Sequence, residues 1–379
     1  MLVIAKLIGP AEMGKSITSL LYITYSAYLS LGLNSVIVKN FKILKNKNEQ
    51  INFLTINFQL LTLLSCLNFF ITYYIFSIEF FFLISIISIG TLFRSFFSSY
   101  FRVIDKTYVL NINNILLSLL LIFATLLFVN NWNDYLYVWA LVILTNLLSY
   151  FLFDLKTFSL VLKKSFSIPK KSIIIINTQE GLRLSLLAVL STIYLSADRL
   201  IINNMDISND LKGSNQLADN FSTAIFIGVS ALIFYFTPNW INNIKNDFSY
   251  SNNLFKIANF SFFIVPVLSF ITFLIGYIVE LYWFTEYVSL SNFVFISTFL
   301  KLLILFSGIE SLIFIALDKE IKYFKINIPS LFLVVLTFIY FNFYETDQNK
   351  ILLVPVILSL IIVILLFVQR IFIKKILKL

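Results

Sequence analysis

Seven charged side chains stand out within or near the ends of long apolar stretches of the sequence. They are Arg94, Glu180, Arg183, Asp198, Arg199, Lys301 and Glu310. Charged side chains in apolar spans are rare, and they usually face a water-filled cavity or one another. Guanidinium and ammonium groups can balance the charge of an anion that leaves water, whereas a carboxylate can hold a proton or pair with a cation. These seven residues are therefore the candidates for chemistry in this chain.

The first three residues have two predictions, one for Glu180 and Arg183 together and one for Arg94. Glu180 and Arg183 are three residues apart, so on a helix they lie on one face, either as a self-contained ion pair or as part of a site. Arg94 is near the end of its stretch and is expected to extend its side chain to the membrane surface. We keep it as a weaker candidate for binding.

The other four residues divide into two pairs. Asp198 and Arg199 are predicted near the outer end of their span, at the level of the lipid headgroups, where a contact between lobes is favoured over substrate binding. Lys301 and Glu310 are nine residues apart, about 13.5 Å along a helix and half a turn out of phase. They cannot share one face, so we expect Lys301 to line a cavity and Glu310 to face a neighbouring helix.

The composition places these residues in a membrane protein. Of 379 residues, 59% are hydrophobic and 12% charged, and the mean hydropathy is +0.92. A soluble domain needs about a quarter of its residues charged, so a cytosolic enzyme, a secreted protein and a nucleic-acid binder are excluded. The sequence has no histidine and only Cys66 as cysteine, which excludes histidine metal sites, catalytic triads and disulfide frameworks. No cofactor or metal is expected.

Apolar stretches of about 20 residues, the length that crosses a bilayer, predict an all-α protein. We place eleven spans at 15–38, 53–77, 80–101, 108–129, 133–154, 174–202, 215–240, 255–279, 288–316, 326–344 and 351–369. Most of the 28 basic residues fall on alternate connections, at 39–47, 94–106, 156–171, 245–256, 319–325 and 370–378. Basic residues concentrate on the cytoplasmic side, so the C-terminus is predicted to be cytoplasmic.

An odd number of spans conflicts with this orientation unless another span precedes them. Residues 1–8 are apolar but too short to cross, and we interpret them as the outer end of a first span. The alternative is a genuine eleven-span protein. Twelve spans would form two lobes, 1–155 and 173–379, joined by a basic cytoplasmic linker at 156–172. Six spans in each lobe predict a pseudo-two-fold axis along the membrane normal.

Two motifs carry a resemblance to a known family. The segment Ala5-Lys6-Leu7-Ile8-Gly9-Pro10, followed by Glu12-Met13-Gly14 and then by Leu31-Gly32-Leu33, resembles the opening of the bacterial polysaccharide-export flippases of the O-antigen type. The segment Ser196 to Ile202, which contains Asp198 and Arg199, resembles the Asp-Arg motif of the same family. These flippases belong to the multidrug/oligosaccharidyl-lipid/polysaccharide flippase superfamily.

The resemblance implies a non-enzymatic transporter of the bacterial inner membrane. It would translocate a polyprenyl-diphosphate-linked oligosaccharide across the bilayer by alternating access. The oligosaccharide would be an O-antigen or capsule repeat unit. Arg183, Lys301 and Arg94 would bind the substrate, and Glu180, Asp198, Arg199 and Glu310 would couple an ion or support the structure. Expected partners are this substrate and membrane lipids, with a polysaccharide polymerase and a chain-length regulator as further partners to test; nucleic acid is not among them.

Two other functions compete with this interpretation. A membrane polysaccharide polymerase or glycosyltransferase is similarly hydrophobic, but it needs an extramembrane loop to hold acidic catalytic groups over a sugar, and the connections here are short. A drug or metabolite antiporter of the same superfamily should carry acidic rather than cationic cavity residues. Arg183 and Lys301 argue weakly against it.

Overall fold

The computed structural model is an all-helical protein in its described residues, which are 2–41, 44, 46–166, 171–247, 250–317, 319–343 and 350–377. Within these ranges there is no strand. The helices are α1 Leu2–Ser26, α2 Leu33–Asn40, α3 Lys47–Ile75, α4 Ile78–Val103, α5 Thr107–Phe128, α6 Trp132–Phe153, α7 Leu155–Lys164, α8 Lys171–Asn204, α9 Asn209–Asn246, α10 Ser251–Tyr282, α11 Leu290–Ala316, α12 Glu320–Phe343 and α13 Leu353–Leu377.

Nine helices in the described part of the chain are long and apolar enough to cross a membrane. They are α3 to α6 and α9 to α13, and each contains or largely overlaps one of the predicted spans. The predicted span 174–202 lies on α8. The protein is therefore a multi-pass, all-α membrane protein, as its composition indicates. Twelve spans and a pseudo-two-fold axis stay predictions.

The predicted span 15–38 is broken rather than continuous. α1 and the short 3-10 turn Ala27–Ser30 are followed by α2 at a bend of 44°. Leu31 and Gly32 occupy left-handed conformations, with φ of 48° and 71°, and such residues end a right-handed helix. α1 has a second break at Gly9, where φ is 77° and Pro10 follows.

The chain forms two compact units, which we call unit A and unit B. Unit A is Thr18–Thr192, and unit B is Met1–Ile17 together with Ile193–Leu379. Their boundaries lie within α1 and α8 rather than in the basic segment 156–172. The two sequence-based lobes, 1–155 and 173–379, stay a prediction.

Unit A is built around α4, which packs against α2, α3, α5 and α6. Its core is strongly aromatic: Phe97 contacts Phe158 edge to face at 4.7 Å between ring centroids and stacks on Tyr150. Tyr150 is fully buried. Because lipid is as apolar as a protein core, specific ring packing rather than hydrophobic burial orders such helices.

Unit B is built around α11, which packs against α9, α10, α12 and α13. In the most apolar stretch of α11, 72% of the residues are buried, the largest share among the nine candidate spans of the described chain. A central helix touched from several sides can carry polar groups away from lipid. The charged residues of α11 are Lys301 and Glu310.

Candidate functional site: a buried ionic cluster in unit B

Lys301 lies near the middle of α11 and has only 3% of its surface exposed. Its Nζ is 2.5 Å from the Oδ1 carboxylate oxygen of Asp219 on α9. The same ammonium donates to the backbone carbonyl of Asp219 at 2.8 Å and to the Thr223 hydroxyl at 2.5 Å. The ammonium is therefore held by one ion pair and two hydrogen bonds.

Asp219 also draws in a second cation. Nη1 of Arg199, on α8, is 3.3 Å from the Oδ2 oxygen of Asp219. The Thr223 hydroxyl donates to the same oxygen at 3.5 Å. The carboxylate of Asp219 therefore lies between Lys301 and Arg199, and it joins three helices of unit B through one side chain.

Asp198 completes what we call the ionic cluster: Asp198, Arg199, Asp219 and Lys301. Its side chain is fully buried and close enough to the other three to interact electrostatically. Neither of its carboxylate oxygens accepts a hydrogen bond from a side chain in the described part of the chain. A buried carboxylate without such partners is able to take up a proton or a cation.

A polar segment of α9 precedes Asp219, the member of the cluster on this helix. Ser214, Asn215 and Gln216 are buried like Asp219. Both amide atoms of Asn215, the Ser214 hydroxyl and the Oε1 of Gln216 have no hydrogen-bond partner within the described residues. Polar atoms in this state are costly and are usually kept for water, ions or ligands. The second and third turns of α9 therefore carry a run of buried polar side chains.

Close helix packing holds this segment of α9 in place. A Cβ built on Gly14 of α1 would overlap the Asn209 carbonyl of α9, and one built on Gly213 of α9 would overlap the Pro10 carbonyl of α1. Only glycine allows two helix backbones to approach so closely.

The cluster is electrically balanced, with two carboxylates and two cations. Burying an isolated charge costs several kcal/mol, and a partner reduces this cost only if the geometry is good. Lys301 therefore does not line an open cationic cavity in this structure, because Asp219 neutralises it. Asp198 is fully buried, and both Asp198 and Arg199 belong to the same cluster as Lys301; their position at headgroup level stays a prediction.

Glu310 forms a separate pair on the other side of α11. Its Oε1 accepts a hydrogen bond from the Nε of Arg370 on α13 at 2.5 Å, and 1% of its side chain is exposed. The Arg370 guanidinium lies 5.0 Å from the centre of the Phe262 ring. Lys301 and Glu310 thus contact different helices, as expected from their phase along α11.

The remaining candidates lie in unit A. Glu180 accepts hydrogen bonds from Lys39 at 2.6 Å and Asn40 at 2.8 Å, at the end of α2. Arg183 is part of α8, and its side chain lies outside the described residues. Arg94 donates to Asn114 of α5 at 2.7 Å. Neither Glu180 nor Arg94 belongs to the ionic cluster.

The sequence analysis missed Asp219, although it falls inside the predicted span 215–240 and is therefore an intramembrane charge like the others. It also missed the pairing of Glu310, because Arg370 was counted only among the basic residues near the C-terminus. An opposite charge inside a second span, Asp219, and one directly after a span, Arg370, could have indicated the partners.

Comparisons of the whole chain with known protein families, with characterised proteins and with solved structures gave no match. No group of three or more histidine, cysteine, aspartate or glutamate side chains that could hold a metal ion occurs among the described residues.

Proposed function

We propose that this protein is a bacterial inner-membrane flippase for a polyprenyl-diphosphate-linked oligosaccharide, with twelve spans in two lobes and a cytoplasmic C-terminus. The proposal combines the two flippase-like motifs with the bias of basic residues. The observation that carries it is the ionic cluster, which keeps two cations and two carboxylates inside the spans of unit B. Intramembrane charges of this kind mark transport paths.

Lys301 and Arg199 supply the charge that a diphosphate needs. In this structure both face the Asp219 carboxylate, and we propose that a phosphate oxygen of the substrate replaces it. A diphosphate that reaches the cluster competes with Asp219 for the two cations. The displaced negative charge then requires a proton, and in this proposal it is taken up by Asp198, a buried carboxylate that accepts no side-chain hydrogen bond in the described residues. Loading of substrate and uptake of a proton are thereby linked.

A second function is favoured by Asp198. A fully buried carboxylate that accepts no side-chain hydrogen bond in the described residues suits a cationic substrate or an exchanged cation. This is the property expected of a drug or metabolite antiporter. A polymerase or glycosyltransferase has no comparable support, because the described connections between spans are short.

The first experiment is a transport assay with purified protein in liposomes. A fluorescent polyprenyl-diphosphate oligosaccharide is placed in both leaflets, and a membrane-impermeant quencher reports the fraction that becomes accessible. We expect the protein to accelerate accessibility over protein-free liposomes, whereas a fluorescent cationic drug is not moved. Movement of the drug alone would support the antiporter and reject the flippase.

Variants of Lys301 then test the site. Removal of a cation from a desolvated phosphate site costs about 2–5 kcal/mol, so Lys301→Met is expected to slow transport at least about 30-fold. Lys301→Arg keeps the charge and should retain part of the activity. Lys163→Met, at an exposed position on α7, controls for loss of one positive charge.

A double variant separates binding from structural support. Lys301→Met with Asp219→Asn leaves Asp198 and Arg199 to balance each other, so the cluster stays neutral. If Lys301 binds substrate, this variant folds but does not transport. Recovery of parental transport in the double variant would show that Lys301 serves only to neutralise Asp219.

A further inference from the structure

A groove of about 700 Å³ lies between α12 and α13 in unit B. None of the residues that line it belongs to the ionic cluster. Four lysines line it: Lys319, Lys322, Lys325 and Lys375. The rest of its wall is apolar, formed by Ile326, Pro329, Val368 and Phe372. No acidic side chain is among these lining residues. Its volume is in the range that holds small organic ligands.

Helix geometry explains how the groove arises. Lys322, Ile326 and Pro329 follow one another at intervals of four and three residues on α12, and Val368, Phe372 and Lys375 do the same on α13. Residues with this spacing form one stripe along a helix. α12 begins and α13 ends at the basic end of the groove, so the lysines gather there and the apolar residues continue into the span.

This order of groups corresponds to the parts of a lipid. Phosphate is a strong partner for several ammonium groups, and an acyl chain fits along an apolar wall that runs into the bilayer. Lys322, Lys325, Lys375 and Phe372 are exposed, so a lipid of the surrounding bilayer reaches them laterally. The adjacent Asp318 and Glu320 in the sequence do not reverse the positive charge of this region.

We infer that the groove between α12 and α13 is a binding site for an anionic phospholipid of the leaflet on the basic side of the protein. Basic pockets between membrane helices on the cytoplasmic side are suited to anionic headgroups. A zwitterionic lipid brings its own ammonium group and is repelled by four lysines. The inference goes beyond the proposed function, since the groove does not include the ionic cluster.

The test uses the full chain, purified in a non-ionic detergent and mixed with one lipid at a time. The probes are phosphatidylglycerol, cardiolipin, phosphatidylethanolamine and a polyprenyl diphosphate. Native mass spectrometry measures the fraction of protein that keeps a lipid. We expect phosphatidylglycerol and cardiolipin to bind, with cardiolipin tighter because it carries two phosphates, and phosphatidylethanolamine to bind at least tenfold more weakly.

Variants locate the binding. Each lysine near an anionic headgroup contributes about fivefold to affinity, so Lys322→Gln/Lys325→Gln/Lys375→Gln should weaken binding of both anionic phospholipids at least tenfold. The corresponding arginine variant should bind normally. Lys47→Gln/Lys156→Gln/Lys163→Gln, which removes three exposed lysines of unit A, should also bind normally.

Three outcomes would overturn the inference. Equal losses in the two glutamine variants would mean that binding depends only on net charge. Equal binding of phosphatidylethanolamine would mean that the lysines do not select the headgroup. Retention of the polyprenyl diphosphate without either anionic phospholipid would assign the groove to that lipid instead. None of these outcomes measures transport, which the liposome assay decides separately.

Discussion

At the scale of residues, the pairing of Lys301 with Asp219 allows both charges to be buried in unit B. Lys301 makes one ion pair and two hydrogen bonds with residues of α9, and Asp219 reaches Arg199 with its second oxygen. Each residue is tolerable in a buried position only while its partners are present. Stability and function at this site are therefore linked.

We predict that single substitutions in the pair destabilise the protein more than the double substitution. Lys301→Met leaves two carboxylates against one cation, and Asp219→Asn leaves two cations against one carboxylate. Breaking a buried pair in this way costs about 3–5 kcal/mol, whereas replacing both partners is often close to neutral. Thermal unfolding of the purified protein in detergent measures the difference.

The parental protein, the two single variants and the double variant together form a double-mutant cycle. A coupling energy below about 0.5 kcal/mol, the error of additivity for independent sites, would show that the two side chains do not support each other. Lys163→Met serves again as the control, because its side chain is exposed. It should unfold at the parental temperature.

Lys301 and Glu310 could be recognised from the sequence because charge is rare in apolar stretches. Their partners could not be assigned in the same way. Asp219 is 82 residues from Lys301, and Arg370 is 60 residues from Glu310. Which charges meet depends on the rotation of each helix and on its depth relative to its neighbours. Neither quantity is encoded in the spacing within one helix.

At the scale of elements, glycine decides where helices approach. Gly32 has a φ of 71° and lies against the Gly181 backbone of α8. A Cβ on Gly181 would in turn overlap the Leu31 carbonyl. This contact lies beside the hydrogen bonds of Lys39 and Asn40 to Glu180, so α2 is attached to α8 at two adjacent points.

We predict that Gly32→Ala and Gly181→Ala each lower the unfolding temperature. At position 32 a left-handed conformation costs a non-glycine residue about 1–2 kcal/mol, and the new methyl group meets backbone that cannot move aside. At position 181 only the steric overlap applies. Gly308→Ala is the matched control, because nothing lies within 4 Å of a Cβ there.

The control should be neutral or slightly stabilising, since alanine favours a helix over glycine by about 1 kcal/mol. Equal effects at positions 32, 181 and 308 would contradict the assignment of Gly32 and Gly181 to a close backbone contact. Circular dichroism of the three variants shows whether each is folded before the comparison is made.

Helices themselves were the most predictable part of the fold. Nine predicted spans coincide with nine helices of the described chain, because a run of apolar residues long enough to cross a bilayer leaves few alternatives to a helix. The hydropathy pattern does not predict the break at Leu31 and Gly32. Hydropathy continues smoothly through 15–38, and only the backbone conformation of these two residues shows the bend.

At the scale of the whole molecule, orientation follows from the distribution of basic residues. The basic groups at 156–171 and 370–378 lie on one predicted side, whereas Lys212 and Lys350 lie on the other. Positive residues are retained on the cytoplasmic side during insertion. Composition is sufficient for this prediction, but it does not give the boundaries of units A and B, which fall within helices α1 and α8.

We predict that residue 163 is cytoplasmic and residue 210 external. Cys66, the only cysteine, is first replaced by serine, and Lys163→Cys and Asp210→Cys are then introduced singly at these exposed positions. An impermeant thiol reagent applied to intact cells should label only the second. Both should react after the cells are permeabilised, and labelling of position 163 in intact cells would reverse the topology.

The two ion pairs of α11 also have a mechanical consequence. Lys301 fastens the helix to α9, and Glu310 fastens it to α13 about 13.5 Å further along its axis. A piston-like slide of α11 would shear both pairs at once, and a twist about its own axis would pull Lys301 and Glu310 away from two different neighbours. The core of unit B therefore resists sliding of α11 against its neighbours. Any movement of unit B would carry α9, α11 and α13 together as a rigid body.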